Sequence, residues 1–546
     1  MILLDKVFMG VLLGGSLLLY IVAEMGRKYK NNEWRALYCL PSIVSLFLLA
    51  AEGFEIYMCG AYLGVILLLA GMMKDDLKVR RSVCLAAVFC GLLTIPLCLC
   101  NKGYRTDDYV KDFKEGVAFM KEHYVLTEHK GVDFDALYEE YLPMFKEADK
   151  NHDKVANAIA WNLFCAEFHD GHTGFQPKED ATYKEALRQA AGNDYGLSLM
   201  GLADGTVVAV NVEESEFFKE AGIQNGTPIT SWDGREIHRV ARESLLYRMT
   251  PFADKDNEAF QLALYAAGVG GESVKITYLD ASGREKELEL SKQGEYFERL
   301  EETIKMIDKG VETGHMMWAE VAPDAVALRI KIMMFDSESA KKENYESMQK
   351  EIREKAAEYQ NGGKKHLILD LRDNGGGSGQ MVKALVSLFA LPGEYYYCTD
   401  GLWDDAIAGY VKDEKGKYVP GKEHYFQGEN IWQGPITLLV NQNSASAADH
   451  LTKVMQGMDN VTVMGFTEPN GSAQGVNGIH LKSGDLSFSS SLMLDKNGNI
   501  YVDSDTKWES GNEIDIRIPF DREAVKVLFE ENGDYVLQKC LEYYEK

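Results

Sequence analysis

A serine that follows a short apolar run is in a position to act as a nucleophile. The run Ile436–Val440 predicts a buried strand, and a tight polar turn follows at Asn441–Ser444 before small residues open a helix. A serine at such a strand-to-helix turn is exposed, and the first N–H groups of the helix point at the group that it attacks. Ser446 is therefore our candidate nucleophile, although Ser444 and Ser446 also suit the plainer role of capping the helix N-terminus.

Three consecutive glycines, Gly375–Gly377, lie between a predicted strand at His366–Leu371 and a helix predicted to begin near Gln380. A phosphate-binding loop is one interpretation, but the Gly-Lys-Ser/Thr ending and the spaced glycines of the dinucleotide motif are missing. An oxyanion hole is another, because no side chain keeps a glycine N–H from a developing oxyanion. The amides of Gly376 and Ala447 would then be the donors, and a plain glycine turn is the simplest alternative.

Two histidines lie beside an Asp-Gly turn in the stretch Phe168–Phe175. Histidine changes protonation near neutral pH and commonly acts as a general base. His172 and the neighbouring Asp170 are thus candidates for a site, although a single histidine is often structural.

Composition limits the classes of function. The chain has 546 residues, too many for one ordinary domain, and a net charge of −26, which argues against a nucleic-acid partner. Six of the nine cysteines lie in the first hundred residues, and Cys165, Cys398 and Cys540 are scattered beyond them. Three scattered cysteines form neither a disulfide framework nor a metal site, so we expect no metal and no other cofactor.

The first hundred residues predict a membrane anchor. Each of four apolar runs approaches the ~20 residues that span a bilayer. Basic clusters follow the first and third runs and should lie in the cytoplasm. Four spans place both basic clusters on the cytoplasmic side, whereas three spans would do so only with a re-entrant segment. We therefore expect a multi-pass protein of the cell membrane, in contact with lipid, whose remaining residues lie outside the cytoplasm. The runs are Val7–Ala23, Leu37–Ala51, Ile56–Met73 and Val83–Cys100.

Hydrophobic periodicity changes twice after the anchor. Apolar residues first recur at helical spacing, then a series of short strands and glycine turns follows, and finally strands and helices alternate, as in α/β domains. A single helix is predicted at 521–543. The predicted organisation is an anchor at 1–100, a helical subdomain at 101–188, a β-rich module at 189–293 and an α/β domain at 294–546.

Several motifs, in the same order along the chain, resemble those of the carboxyl-terminal processing (tail-specific) peptidases and their tricorn and retinoid-binding-protein relatives. Leu369–Ser378 resembles their Asp-Leu-Arg-x-Asn-x-Gly-Gly strand, and Val440–Asp449 resembles their Ser-Ala-Ser-Ala-Ser-Glu nucleophile turn. Asp170–Thr173 is similar to the Asp-Gly-His-Thr box that closes their N-terminal helices. Trp508-Glu509 with Ile514–Ile516 resembles their Tyr-Glu…Pro-Asp-Ile segment, without the proline.

The resemblance implies a fold and a reaction. It implies a ClpP/crotonase-like α/β serine peptidase domain with an inserted PDZ-like module, hydrolysing peptide bonds of a protein or peptide substrate. Within the module, Tyr195, Gly196 and Leu197 look like residues that bind an extended peptide such as a C-terminal tail. Thr227 replaces the family's aspartate after Gly226, and the module would alternatively only gate or brace the protease.

The family has two kinds of catalytic base, and the lysine kind does not fit. The processing peptidases use a lysine shortly after the nucleophile, and the aligned residue here is Asn470, which cannot take a proton. Lys453 lies seven residues beyond Ser446 on a predicted helix, which means ~10 Å of rise. It cannot easily reach the serine.

The resemblance to the tricorn branch instead implies His172 as the base and Glu509 as the acid that orders the site. Gly171 stands where tricorn has a serine, so water or a direct contact would have to link His172 to Glu509, and Asp170 is a rival orienting group. We therefore expect a membrane-anchored serine endopeptidase that forms an acyl-enzyme on extracytoplasmic substrates. The alternative is a catalytically silent peptide-binding or scaffolding protein on the same fold.

Overall fold

Helices rich in aromatic side chains begin the part of the chain that the computed structural model describes, which is residues 108–308, 315–334, 342–471, 473–504 and 506–545. The chain divides into two compact units, Met1–Thr106 and Asp107–Lys546, and all described residues belong to the second. The first four helices are α1 (Tyr109–His123), α2 (Phe134–Asn151), α3 (Lys154–Ala166) and α4 (Asp180–Ala191).

These helices form where apolar residues recur at helical spacing and where a carboxylate can cap the first turn. The side chains of Asp133 and Asp153 accept hydrogen bonds from the first N–H groups of α2 and α3. Phe113 on α1 stacks on Phe145 of α2, with ring centroids 3.9 Å apart. Strand β1 (Gly174–Pro177) follows α3, so the histidine-containing box lies where the helices meet a β-sheet.

The next part, residues 193–308, covers the predicted β-rich module and the helix after it, and it also contains short helices that the sequence pattern did not predict. Its strands are β2 (Asn193–Asp194), β3 (Ser198–Gly201), β4 (Val207–Val210), β5 (Ile229–Trp232), β6 (Ser273–Leu279), β7 (Glu285–Ser291) and β8 (Gly294–Glu295). Its helices are α5 (Glu216–Ala221), α6 (Ile237–Glu243), α7 (Leu245–Arg248), α8 (Lys255–Ala266) and α9 (Tyr296–Asp308).

Strands and helices alternate after residue 315. The strands are β9 (Met316–Ala322), β10 (Ala325–Ile330), β11 (His366–Asp370), β12 (Gly393–Gly401), β13 (Trp403–Asp404), β14 (Gly409–Tyr410), β15 (Pro420–Gly428), β16 (Ile436–Val440), β17 (Val461–Gly465), β18 (Gly475–His480), β19 (Gly484–Ser491), β20 (Met493–Leu494) and β21 (Ile516–Arg517). The helices are α10 (Lys342–Asn361), α11 (Gly379–Phe389), α12 (Ala447–Gln456), α13 (Arg522–Phe529) and α14 (Tyr535–Tyr544).

A six-stranded sheet in the order β21-β17-β16-β11-β10-β9 forms the centre of this region. Only the edge strand β9 is antiparallel to its neighbour; the other neighbouring pairs are parallel. Strands β10, β11 and β16 are almost entirely buried, which explains why their sequences are continuous apolar runs. The carboxyl ends of β11 and β16 are adjacent, and the glycine turn and the serine turn follow these two ends.

Buried charges hold the end of β11 in place. The guanidinium of Arg372 donates to Asp370 at 2.8 Å and to Asp534, just before α14, at 2.7 Å. Because a buried charge is costly unless it is paired and hydrogen-bonded, these partners fix the backbone that leads into the glycines.

The α/β peptidase-like part of the predicted fold is present, but the predicted terminal helix is divided. Residues 521–543 form α13 and α14, which are separated at Asn532, whose φ is 54°. Asp534 then caps α14. An Asn-Gly pair readily adopts positive φ, so the sequence contained the signal for this break. The predicted subdomain boundaries at 188/189 and 293/294 stay predictions.

The multi-span membrane anchor and the multi-pass membrane localisation are corrected. Among the described residues, no helix combines the length and the apolar character that crossing a membrane requires. The longest of them, α10, has 20 residues but is dense in Glu, Lys and Arg. The four apolar runs within 1–100 lie outside the described residues. The described residues thus support neither a membrane anchor nor a multi-pass localisation.

Candidate active site

Ser446 lies at the turn between β16 and α12 in a strained backbone conformation. Its φ is 56° and its ψ is −117°, a region that non-glycine residues rarely occupy. The side chain makes no capping hydrogen bond to the helix. The plain interpretation of Ser446 as a capping residue therefore does not hold, and its geometry is that of a nucleophile elbow.

Ser444 has the structural role instead. Its buried hydroxyl donates to the carbonyl of Leu371 at 2.8 Å and accepts from the N–H of Asn441 at 3.1 Å. It thus ties the serine turn to the end of β11.

Asn374 connects the serine turn to the glycine turn. Its carbonyl accepts from the N–H of Ala445 at 2.9 Å, its amide nitrogen donates to Ile330 at 2.7 Å, and its amide oxygen accepts from Gly376 at 2.9 Å. As a result, Gly376 is packed directly against the serine. A Cβ added to it would lie 2.6 Å from the Cβ of Ser446 and 2.8 Å from the nitrogen of Ala447.

The two predicted oxyanion donors differ in their surroundings. Ala447 is the first residue of α12, so no preceding turn of that helix supplies an acceptor for its N–H. The N–H of Gly376 already donates to Asn374. The structure therefore brings Gly376, Ser446 and Ala447 together. Of the two predicted oxyanion donors, the N–H of Gly376 is already hydrogen-bonded to Asn374.

His172 lies in the turn that precedes β1. Asp170 organises this turn, accepting from the backbone N–H of His172 at 3.0 Å, from Thr173 Oγ1 at 3.0 Å and from Ser489 Oγ at 3.1 Å. Burial lowers the pKa of His172, while the charge of Asp170 and a hydrogen bond to the backbone of Gln474 act in the opposite direction. The buried Nδ1 of His172 has no hydrogen-bond partner among the described groups.

Glu509 is 2% exposed and lies against the segment that follows β17. Its Oε2 accepts from Asn470 Nδ2 at 2.8 Å, whereas the described residues offer its Oε1 no partner. Burial raises the pKa of Glu509 to about 8, the charges of Asp170 and Asp449 act in the same direction, and Lys130 opposes them. Among the described side chains, no hydrogen bond joins His172 to Ser446 or to Glu509.

Further buried acids surround this position. Burial raises the pKa of Asp449 to about 7, and that of Asp503 well above its ordinary value. Lys130 is also buried and donates to the carbonyl of Trp508 at 3.1 Å. The described residues contain no group of three or more His, Cys, Asp or Glu placed to hold a metal ion.

The residues predicted to bind a peptide in the module are enclosed. Tyr195 and Leu197 are buried, and the Tyr195 hydroxyl donates to Gly271 at 2.7 Å. The N–H of Gly196 donates to Asp194 at 2.9 Å. Helix α8 also lies close against β3, because a Cβ on Gly201 would be 3.1 Å from the carbonyl oxygen of Ala259. The side chains of Tyr195 and Leu197 and the N–H of Gly196 are therefore already engaged within the module.

Sequence reasoning missed three polar residues of this region. Asn470 was noted only as a replacement for the family lysine, and its contact with Glu509 was not foreseen. Gln474, which donates to Asp503 at 2.9 Å, and Lys130 carry no local pattern that distinguishes them from surface residues. Their positions depend on segments that are distant in the chain.

The family model of peptidase family S41 matches residues 328–516, a stretch that contains the glycine turn, Ser446 and Glu509. Over this stretch the chain is similar to peptidase family S41. His172 lies before the matched stretch. The predicted resemblance to carboxyl-terminal processing peptidases is thereby confirmed, as is the predicted class of serine peptidase.

Solved structures support the S41 fold at low sequence identity. Mature CPAF is 15% identical, with a TM-score of 0.52, and the match covers 81% of this chain and 97% of that one. Mature CPAF complexed with lactacystin is also 15% identical, with a TM-score of 0.51 and coverage of 81% and 98%. At this identity the likeness shows the fold alone. No curated protein matches the sequence.

Because Gly376 contacts the serine turn and Gly375 does not, we expect alanine substitution to affect stability very differently at these two neighbouring glycines. Gly376→Ala would force a Cβ into the serine turn at a φ of 91°, whereas a Cβ on Gly375 meets nothing within 4 Å. We expect Gly376→Ala to lower the free energy of unfolding by about 2 kcal/mol or more, and Gly375→Ala to change it by less than about 0.5 kcal/mol. Urea denaturation measures both, and equal stability of the two variants would contradict the packing described.

Proposed function

We propose that this serine peptidase is an endopeptidase that cleaves protein or peptide substrates through an acyl-enzyme on Ser446, with His172 as the general base. The observation that carries the proposal is the strained conformation of Ser446 at the start of α12, with its side chain released from helix capping. Strain of this kind persists only where surrounding contacts hold it, and it is common at active sites. Asn374, Ser444 and Gly376 supply those contacts here.

The proton moves in two steps. His172 takes the proton of the Ser446 hydroxyl as the serine oxygen attacks the scissile carbonyl carbon, and the imidazolium then gives this proton to the departing amine. Water, deprotonated by the same imidazole, attacks the ester carbonyl, and the imidazolium returns that proton to Ser446 Oγ as the ester bond breaks and the second product leaves. The reaction requires His172 to be neutral beforehand, and burial, which lowers its pKa, favours that state at neutral pH.

The oxyanion is held by the N–H of Ala447, with Gly376 as the second donor. The N–H of Gly376 donates to a neutral amide oxygen before substrate binds. A hydrogen bond to an oxyanion is stronger than one to a neutral acceptor, so the developing charge draws this donor into a shared bond. Asn374 thereby keeps Gly376 next to the nucleophile until the charge forms.

Glu509 stabilises the imidazolium in this proposal. Within the described part of the chain, Oε1 of Glu509 and Nδ1 of His172 have no partner, and they are an acceptor and a donor of complementary kind. Only ionised Glu509 opposes the positive charge that forms on His172. Burial raises the pKa of Glu509 to about 8, so less than half of the molecules carry the ionised carboxylate at neutral pH. In this proposal, that ionised fraction limits activity near neutral pH.

The module braces the peptidase in this proposal, because the groups of Tyr195 and Gly196 are already occupied. Helix α9, which follows the module, carries Arg299, whose Nε donates to Asp194 of the module at 2.7 Å, and the helix ends at Asp308. Asp308 accepts from Asn441, at the start of the serine turn, at 3.3 Å. Helix α9 therefore connects the module to the start of the serine turn.

A fluorophosphonate probe tests the nucleophile directly. We expect the wild-type chain to gain one covalent adduct on Ser446, detected by intact mass and peptide mapping. Ser446→Ala should gain none. His172→Ala should react at least about 100-fold more slowly, because a positioned base contributes about 10²–10⁴-fold.

Ser387→Ala is the matched control for that experiment, because Ser387 lies on α11, outside the serine and glycine turns, and its hydroxyl donates to the carbonyl of Ala384 at 2.9 Å. It should keep the adduct on Ser446 if the variant is folded, as circular dichroism can verify. An adduct on another serine, or no adduct on folded wild-type protein, would contradict the proposal.

The pH dependence of this labelling follows from the two shifted groups. Glu509 has its pKa raised to about 8, so its ionised fraction grows as the pH rises through that value. His172, with a lowered pKa, is already neutral over this range. We expect the labelling rate to rise between about pH 6 and about pH 9.5 with a midpoint near 8, and Glu509→Gln to abolish the rise. A plateau reached at about pH 6.5, or a rise that persists in Glu509→Gln, would refute this role.

A further inference from the structure

Asn470 lies between the serine turn and Glu509. Its backbone N–H donates to the carbonyl of Ser444 at 3.0 Å, and its side-chain amide donates to Glu509 Oε2 at 2.8 Å. One residue therefore connects the turn that carries the nucleophile to the acid that acts on the base.

Close packing fixes the segment around this residue. Gly471 has a φ of 80°, and a Cβ added there would lie 2.0 Å from the carbonyl oxygen of Glu509. The backbone of Glu509 is itself held, because its N–H donates to Phe252 and its carbonyl accepts from Ser504, both at 3.0 Å. The Asn470 amide is thus a fixed donor that faces a fixed carboxyl group.

Asn470 is also the hydrogen-bond donor on which the orientation of that carboxyl depends. Among the described residues, Oε2 of Glu509 accepts from Asn470, and Oε1 has no partner. A carboxyl group held by one oxygen keeps the other in a defined direction, available to a donor such as the imidazole.

We propose that Asn470 is a positioning residue that orients Glu509 and favours its ionised form. This inference rests on the proposed function, since it assigns Asn470 to the same Ser446–His172–Glu509 arrangement. Asn470 cannot accept the serine proton itself, and it does not touch the reacting atoms in this role.

Other charges act on Glu509 from the elements packed around it. Asp170 in the histidine box and Asp449 on α12 disfavour its ionised form, and Lys130 favours it. The buried Asp503 lies in the same acidic surroundings and interacts with Asp170, Lys130 and Asp449. Since a hydrogen bond donated to a carboxylate stabilises the charged state, removing the Asn470 amide leaves Glu509 harder to ionise.

The test measures fluorophosphonate labelling of the full chain as a function of pH. Asn470→Ala should lower the labelling rate at neutral pH by about 10-fold, and should move the midpoint of the pH profile to higher pH. Asn470→Asp, which keeps the shape of the side chain, should move the midpoint in the same direction, because an ionised aspartate cannot donate and repels Glu509.

Thr467→Val is the matched control. Thr467 belongs to the same buried segment, but its hydroxyl donates to Gln442 at 3.2 Å and not to Glu509. It should leave the midpoint unchanged. A merely structural effect of Asn470 would lower the amount of reactive protein without moving the midpoint.

The outcomes separate this inference from the function on which it rests. If wild-type protein forms no adduct on Ser446, the proposed function fails. If wild-type protein reacts but Asn470→Asp keeps the wild-type midpoint, the positioning role is overturned while the function stands. If Asn470→Ala does not fold, the isosteric Asn470→Asp still decides between the two.

Discussion

The side chain and carbonyl of Asn374 are the constraint on which the rest of the candidate site depends. Three hydrogen bonds from this one buried residue join the end of β10, the glycine turn and the serine turn. The strained φ of Ser446 and the close approach of Gly376 are possible only because these turns cannot separate. An aspartate or a leucine of similar size could not donate and accept in this way, which gives a physical reason for an asparagine at this position.

Several acidic side chains of the candidate site are buried, and their burial determines their protonation. Glu509, Asp449 and Asp503 all have raised pKa values, and for each of them burial is the largest cause. Lys130 opposes the shift of Glu509 and is itself buried. Burial makes each of these charges more effective than it would be in water. The placement of one amide donor, from Asn470, therefore has consequences that a surface hydrogen bond would not have.

The sequence predicted the central strands better than the contacts between distant segments. The bounds of β16 agree with the apolar run Ile436–Val440, because a parallel strand buried on both faces has an unmistakable composition. The serine and glycine turns were predicted for the same reason, since each directly follows such a strand. The membrane anchor rested on composition in residues 1–100 and is not supported by any helix among the described residues.

The remaining features could not be read from local patterns. Predicting the hydrogen bond from the Gly376 N–H to Asn374 would require the conformation of the glycine turn. The contact of Asn470 with Glu509 joins residues 39 positions apart. The close approach of α8 to β3 at Gly201 likewise depends on tertiary packing, which no periodicity reveals. Periodicity predicts which residues are buried, whereas side-chain orientation depends on tertiary packing.

A crystal structure of the protein with a peptide boronic acid tests the central claim most directly, because the tetrahedral boronate mimics the charged intermediate. The account predicts a bond from boron to Ser446 Oγ, one boronate oxygen within hydrogen-bond distance of the Ala447 nitrogen, and the imidazole of His172 facing the serine oxygen. A boronate bound elsewhere, or one bound to Ser446 with His172 turned away, would contradict it.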